Sequence, residues 1–115
     1  THPDFNCPTE TGFMPDIGAI MAFIEASAGR RTAIIIGKPY AGIVEGVLEY
    51  TGLTCGECAM VGDRLYTDVA TGVNFGMTAI LVLSGEATMK DLETSSVQPN
   101  LIFNRLAEMI PYLEG

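Results

Sequence analysis

Three side chains in this chain have the types and positions that phosphoryl chemistry uses. Asp63 and Asp68 follow the apolar run Ala59-Met60-Val61 and a glycine, and Lys38 sits between Gly37 and Pro39. A buried strand ending in Gly-Asp delivers its acid to the carboxyl edge of a parallel sheet, where α/β sites form and where a hard cation such as Mg²⁺ finds oxygen ligands. Residues five apart on an unbroken helix do not share a face, but across a strand-to-helix turn Asp63 and Asp68 meet at one rim. Asp63 could then ligate a metal, while Asp68 holds a ligating water or pairs with a lysine. Lys38 could neutralise a phosphoryl oxygen or the nearby carboxylates. On these residues alone simpler roles stay open: Asp63 as a turn acid, Asp68 as a helix-start acid, Lys38 as a solvated loop lysine.

The elements that must position these groups can be read along the chain. Residues 1–15 hold Pro3, Pro8, Pro15 and Gly12 without an apolar period, which predicts a connecting loop. Asp16 caps a predicted helix whose stripe is Ile17, Ile20, Met21 and Ile24, ending at Gly29 and Arg30-Arg31. Thr32–Ile36 is predicted to be a buried strand. Pro39 starts a helix with Ile43, Val44, Val47 and Leu48 on one face, stopped by Gly52. Next come a strand at Cys58–Val61, a helix from Thr67 or Asp68 to about Phe75, and a strand at Thr78–Leu83. A short helix at Met89–Glu93, a strand at Leu101–Phe103 and a helix capped by Asn104 and disturbed by Pro111 complete the series. Strands that are apolar throughout and alternate with helices mean a parallel α/β sheet.

Composition narrows the partners. With 115 residues the chain is at most one domain, and 48% hydrophobic content suits a packed core. A net charge of −8 with six basic residues argues against nucleic acid, yet a lysine and a divalent cation still allow a small phosphorylated substrate. No apolar stretch approaches the roughly 20 residues of a membrane span, and no signal segment opens the chain. Three cysteines fit a reducing cytoplasm better than a disulfide framework. Cys55-Gly56-Glu57-Cys58 precedes a strand instead of opening a helix, and only Cys7 and His2 remain to complete a zinc site, so these thiols are read as incidental. The six methionines are scattered core filler. The first residue is Thr1, as in a processed or trimmed product.

Ile36-Gly37-Lys38-Pro39, followed by Met60-Val61-Gly62-Asp63-Arg64-Leu65-Tyr66-Thr67-Asp68, resembles haloacid-dehalogenase (HAD) superfamily phosphatases of the NagD and para-nitrophenylphosphatase type. The likeness continues through Leu81-Val82-Leu83-Ser84-Gly85 and Val97-Gln98-Pro99. Upstream, Thr1-His2-Pro3-Asp4 is similar to the segment where that family's chain leaves its cap, with His2 in place of the usual Asn. The resemblance implies a Rossmann-like α/β/α core. It makes Lys38 the third-motif lysine, Asp63 the fourth-motif Mg²⁺ ligand and Asp68 the accompanying acid. It divides the chain into residues 1–15, the end of the cap and its linker, and residues 16–115, the C-terminal half of the core.

The departure from that pattern is large. No Asp-x-Asp follows an apolar strand, so the first motif with its nucleophile, the second motif and nearly all of the cap are absent from these residues. Asp4 and Asp16 lie in or beside a loop, and Ser84 falls after the fourth motif, in the wrong order for a phosphate-binding serine. The expectation is part of a Mg²⁺-dependent phosphatase for a small phosphorylated metabolite, inactive alone and binding metal weakly at best. The competing expectation is a catalytically silent α/β module. In the family's sheet the nucleophile strand lies beside the strand ending at Gly62-Asp63, so its absence would leave an apolar edge. A second copy of the chain, or the missing half, would cover that edge. A phosphoacceptor receiver domain fits the length but not the order, because Lys38 precedes the acids.

Overall fold

The structure, a computed structural model, describes residues 2–114. It opens with a hairpin of β1 (Asn6–Thr9) and β2 (Gly12–Pro15), in which Cys7 faces Met14 and Thr9 faces Gly12. The loop expected over residues 1–15 is therefore wrong from Asn6 onward. Its prolines are compatible with a two-stranded ribbon because both strands are edges, where a nitrogen turned away from the partner gives up no ladder bond.

Helix α1 (Ile17–Ala28) forms as expected. The Asp16 carboxylate accepts the Ile17 N–H at 2.7 Å, and Gly29 closes the helix in the left-handed region at φ 64°. Its apolar stripe has no cover, for Ile20, Phe23 and Ile24 are all exposed. Helix α2 (Ala41–Thr51) stops at a second left-handed glycine, Gly52, and buries Val44 while packing on the helix that follows β3. Between these helices the expected buried strand fails. Residues 32–36 enter no ladder among the described residues, and Ile34 is 77% exposed. A β-branched run becomes a strand only beside a neighbour that takes its N–H and C=O groups.

The second half of the chain makes the sheet. β3 (Ala59–Gly62), β4 (Thr78–Val82) and β5 (Leu101–Phe103) run parallel in the order β3-β4-β5, with Met60 beside Ala79 and Leu81 beside Ile102. A wide helical turn (Leu65–Val69) runs into α3 (Ala70–Phe75), which packs on β3 and β4. Val69, Ala79, Leu81, Ala87 and Leu92 form the core on that face. Full burial of a side chain such as Leu81 stabilises by about 1.5–3 kcal/mol. The 3₁₀ turn Leu106–Met109 and α5 (Ile110–Leu113) lie over the other face, where Tyr112 meets Phe103 edge-on at 5.6 Å. Asn104 does not cap this segment, since its amide donates to Glu108, and Pro111 sits in the first turn of α5, where a missing N–H is harmless. Helix α4 (Met89–Thr94) is fixed by a reciprocal Thr88–Asp91 capping box.

This is an α/β fold with one parallel sheet between helical layers. Among the described residues nothing pairs with the outer edge of β3. An apolar groove of about 540 Å³ lies beside it, lined by Ala59, Val61, Leu106, Met109 and Leu113 among others. The radius of gyration is 16.1 Å, against about 13 Å for a compact domain of this length. Among the described residues Val44 is the one buried hydrophobic side chain of the first half, and the rest of the core lies in the second.

Candidate active site

Strand β3 ends at Gly62 and hands Asp63 to the carboxyl edge of the sheet, as the apolar run predicts. The chain then winds wider than an α-helix. Val69 N–H reaches the Arg64 carbonyl at 3.1 Å and Ala70 N–H reaches that of Leu65, both five residues back. Such π turns are rare and concentrate at functional sites. Here the turn buries Thr67, Asp68 and Val69 in succession.

Lys38 lies just before α2, joined to Pro39 by a cis peptide bond. Its Nζ pairs with Asp68 Oδ1 across thirty positions of sequence. Asp68 Oδ2 accepts the Arg64 backbone N–H at 3.2 Å. The Asp68 side chain is 5% exposed and that of Lys38 41%, so the ammonium rests on a buried carboxylate and still meets solvent. Asp63 is held separately: its Oδ2 accepts the Glu86 N–H at 2.8 Å and its carbonyl accepts the Ala87 N–H at 2.9 Å. Of the three residues singled out from the sequence, Lys38 and Asp68 touch directly. Asp63 joins them through the backbone of Arg64.

Two glycines make room for these acids. A Cβ at Gly62 would lie 2.2 Å from Asp68 Cγ, and one at Gly85 would lie 2.0 Å from Asp63 Oδ2. Neither has a positive φ, so the requirement is space and not backbone freedom.

Sequence reasoning missed a second layer. The Arg64 guanidinium contacts Asp4 Oδ2 through Nη1 at 3.2 Å and Glu86 Oε2 through Nε at 2.6 Å. Tyr66 donates its hydroxyl to the same Asp4 oxygen at 3.2 Å, and His2 Nε2 lies 3.1 Å from Asp16 Oδ2. Asp16 caps α1 as expected, and both Asp4 and Asp16 also hold neighbouring side chains in place. Burial opposes the Arg64 charge, but Tyr66, Glu86, Asp4 and Asp63 outweigh it and raise its pKa. Burial first, then Glu86 and Asp4, pushes the Tyr66 phenol up to about 12 against the opposing pull of Arg64. The Ile17 N–H and then His2 hold the Asp16 carboxyl below its usual value. Thr1 lies outside the described residues. Ser84 follows β4 in a turn, and Cys7, Cys55 and Cys58 are free thiols.

The comparisons with known proteins follow the same residues. The HAD-hydrolase-like family model matches residues 35–109, which include Lys38, Asp63 and Asp68. The chain belongs to the HAD-like hydrolases. An acid sugar phosphatase of Staphylococcus aureus is 41% identical over 114 residues, 99% of this chain and 44% of that protein. Among solved structures, a 4-nitrophenylphosphatase from Thermotoga maritima superposes with a TM-score of 0.83 at 49% identity, covering 96% of this chain and 42% of the other. NagD from E. coli K-12 superposes with a TM-score of 0.78 at 35% identity, covering 92% and 41%. The resemblance to the NagD and nitrophenylphosphatase type is thereby borne out. The chain spans less than half the length of the relatives it matches.

Mg²⁺ is the cation implied for this family. Asp63 offers a hard carboxylate whose Oδ1 accepts no hydrogen bond among the described residues, as one Mg²⁺ ligand should. Asp68 is already committed to Lys38 and the Arg64 amide. No group of three or more His, Cys, Asp or Glu that could hold a metal occurs among the described residues. The chain therefore fits one corner of a Mg²⁺ site, because Mg²⁺ takes one or two carboxylates and completes its octahedron with water and phosphate.

Proposed function

We propose that this chain supplies the lysine and metal-ligand side of a phosphate-ester hydrolase site, acting on a small phosphorylated metabolite together with a nucleophile from outside these 115 residues. The observation that carries this reading is the pairing of Lys38 with buried Asp68 beside Asp63, at the carboxyl end of β3. Asp68 orients the ammonium, and Lys38 faces a dianionic phosphoryl group and lowers the repulsion it meets from carboxylates. Asp63 Oδ1 would hold the Mg²⁺, which when bound neutralises charge on the transferring group. Glu86 N–H fixes the other Asp63 oxygen, so the ligand is oriented before any cation arrives.

Residues 1–15 would be the last part of a cap and its linker, and residues 16–115 the core's C-terminal half. The three free thiols support a cytoplasmic setting. The open edge of β3 and the groove beside it support association, either with the segment carrying the nucleophile or with a second copy. That same edge favours the alternative reading, a silent association module.

A Mg²⁺-dependent assay on the isolated chain with an aryl phosphate, and Asp63→Asn as control, separates these ideas. The expected result is no turnover above the control, with turnover recovered when a polypeptide carrying an Asp-x-Asp strand is added. Turnover by the chain alone that vanishes in Asp63→Asn would overturn the external nucleophile. No recovery on addition of that polypeptide favours the silent module.

A further inference from the structure

We propose that Arg64 is the positioning residue whose guanidinium sets Asp63 through Glu86 and couples it to the amino-terminal segment at Asp4; this rests on the reading of Asp63 given above. Two side-chain contacts and one backbone contact converge on Arg64. Its backbone N–H donates to Asp68 Oδ2 at 3.2 Å. Its Nε binds Glu86 Oε2 at 2.6 Å, and the Glu86 N–H in turn donates to Asp63 Oδ2 at 2.8 Å. Its Nη1 binds Asp4 Oδ2 at 3.2 Å, sixty positions upstream.

The chemistry favours arginine at this point. A planar guanidinium presents donors in fixed, divergent directions, so one side chain can hold two carboxylates on different elements. The Arg64 side chain is only 21% exposed, as is that of Asp4, which limits screening of this pair. Glu86 is more open at 38%, so its contact contributes direction more than energy. A lysine at 64 would offer a single point charge in place of donors fixed in two directions. Tyr66 adds a second bond to Asp4 from two residues further on, fixing the orientation of that carboxylate.

Residues 2–5 lead into the β1–β2 hairpin, so a shift of that hairpin would reach Glu86, and through it Asp63, by way of Asp4 and Arg64.

The test uses the 115-residue chain, ¹⁵N-labelled, as unmodified protein and as Arg64→Gln, Arg64→Lys and Asp4→Asn. Amide exchange and shifts are followed at Glu86 and Ala87, with the β4 amides of Ala79 and Leu81 as the measure of global stability. In Arg64→Gln the Glu86 and Ala87 amides should exchange about tenfold faster while the β4 amides keep their protection. Arg64→Lys should be intermediate, and it carries the comparison if Arg64→Gln does not fold. Asp4→Asn should shift the Glu86 amide without touching it directly. Unchanged Glu86 and Ala87 amides, or equal loss across β4, would overturn the proposal. Mn²⁺ added to the unmodified chain tests the parent reading separately, by broadening at Asp63. Its absence would remove the metal ligand and leave the exchange comparison to decide Arg64.

Discussion

The two halves of this molecule bury apolar residues to different extents. In the half built on β3, β4 and β5, Val69, Ala79 and Leu81 are wholly buried. In the half that holds α1, the 32–36 segment and α2, Phe23, Ile34 and Tyr50 are 75%, 77% and 92% exposed. Both halves carry regular helices with well-formed glycine stops, so local propensity does not separate them. What separates them is a sheet. The apolar stripe on α1 is addressed to a surface that these residues do not contain, and α2 buries only Val44 while packing on α3, whereas α3 meets β4 directly. Candidate chemistry sits on the half that holds the sheet, with Lys38 reaching across from the other.

Substitutions can break this contrast or sharpen it. The largest effect belongs to Leu81→Ala, expected to cost about 2–5 kcal/mol in urea unfolding. Phe23→Ala, an exposed aromatic of greater size, should change stability by less than about 0.5 kcal/mol. Equal losses would mean that α1 is packed after all. Next is Gly62→Ala. The added Cβ falls within 2.4 Å of three Asp68 side-chain atoms, so Asp68 must move or β3 must give way. Overpacking of this kind costs about 1–3 kcal/mol, read by thermal unfolding and by the shift of the Arg64 amide.

Lys38→Met comes third. It leaves Asp68 buried with only the Arg64 N–H, an expected loss of about 1–2 kcal/mol, restrained because Lys38 is partly solvated. Denaturant midpoints at neutral pH measure it, and an unchanged midpoint would break the link between the halves. The smallest effect is with pH. Asp16, Glu57 and Asp91 are each held below their usual values, first by the Ile17 N–H, the Thr54 N–H and the Thr88 hydroxyl respectively. Their folded values lie beneath their unfolded ones, so this stabilisation is present above about pH 4.5 and is lost as pH falls further. Melting temperature should be level from pH 7 to 5 and decline below 4.5; a decline that begins nearer pH 6 would point to other groups.

Much of the stable half is legible in the sequence. Thr78–Leu83 differs from β4 by one residue at its end, and Leu101–Phe103 matches β5. Gly29, Gly52 and Gly76 mark three helix ends, each in the left-handed region. Strand-end reasoning puts Asp63 and Asp68 at one rim, whereas the strand expected before Lys38 does not form and its place beside Asp68 follows only from the family resemblance. The failures share a physical cause. Thr32–Ile36 has the composition of a strand, but pairing is a property of two segments and none of the described residues pairs with it. The β1–β2 hairpin was hidden by prolines that an edge strand tolerates. Arg64 and Asp4 stand sixty positions apart, and no periodicity links residues that meet only after folding.

The π turn after β3 has an implication for the length of the chain itself. A five-back hydrogen bond is what a helix makes when it holds one residue more than regular winding can use. Deleting one residue between Leu65 and Thr67 would let the turn relax to an ordinary helix, with better backbone bonds than before. It would also swing Asp68 about 100° around the axis, away from Lys38. A tally of helix stability would score that deletion as an improvement, while the ion pair at Lys38 would be lost. The surplus residue acts as a spacer, and its length is under a constraint that the hairpin tip at Glu10–Thr11 does not share.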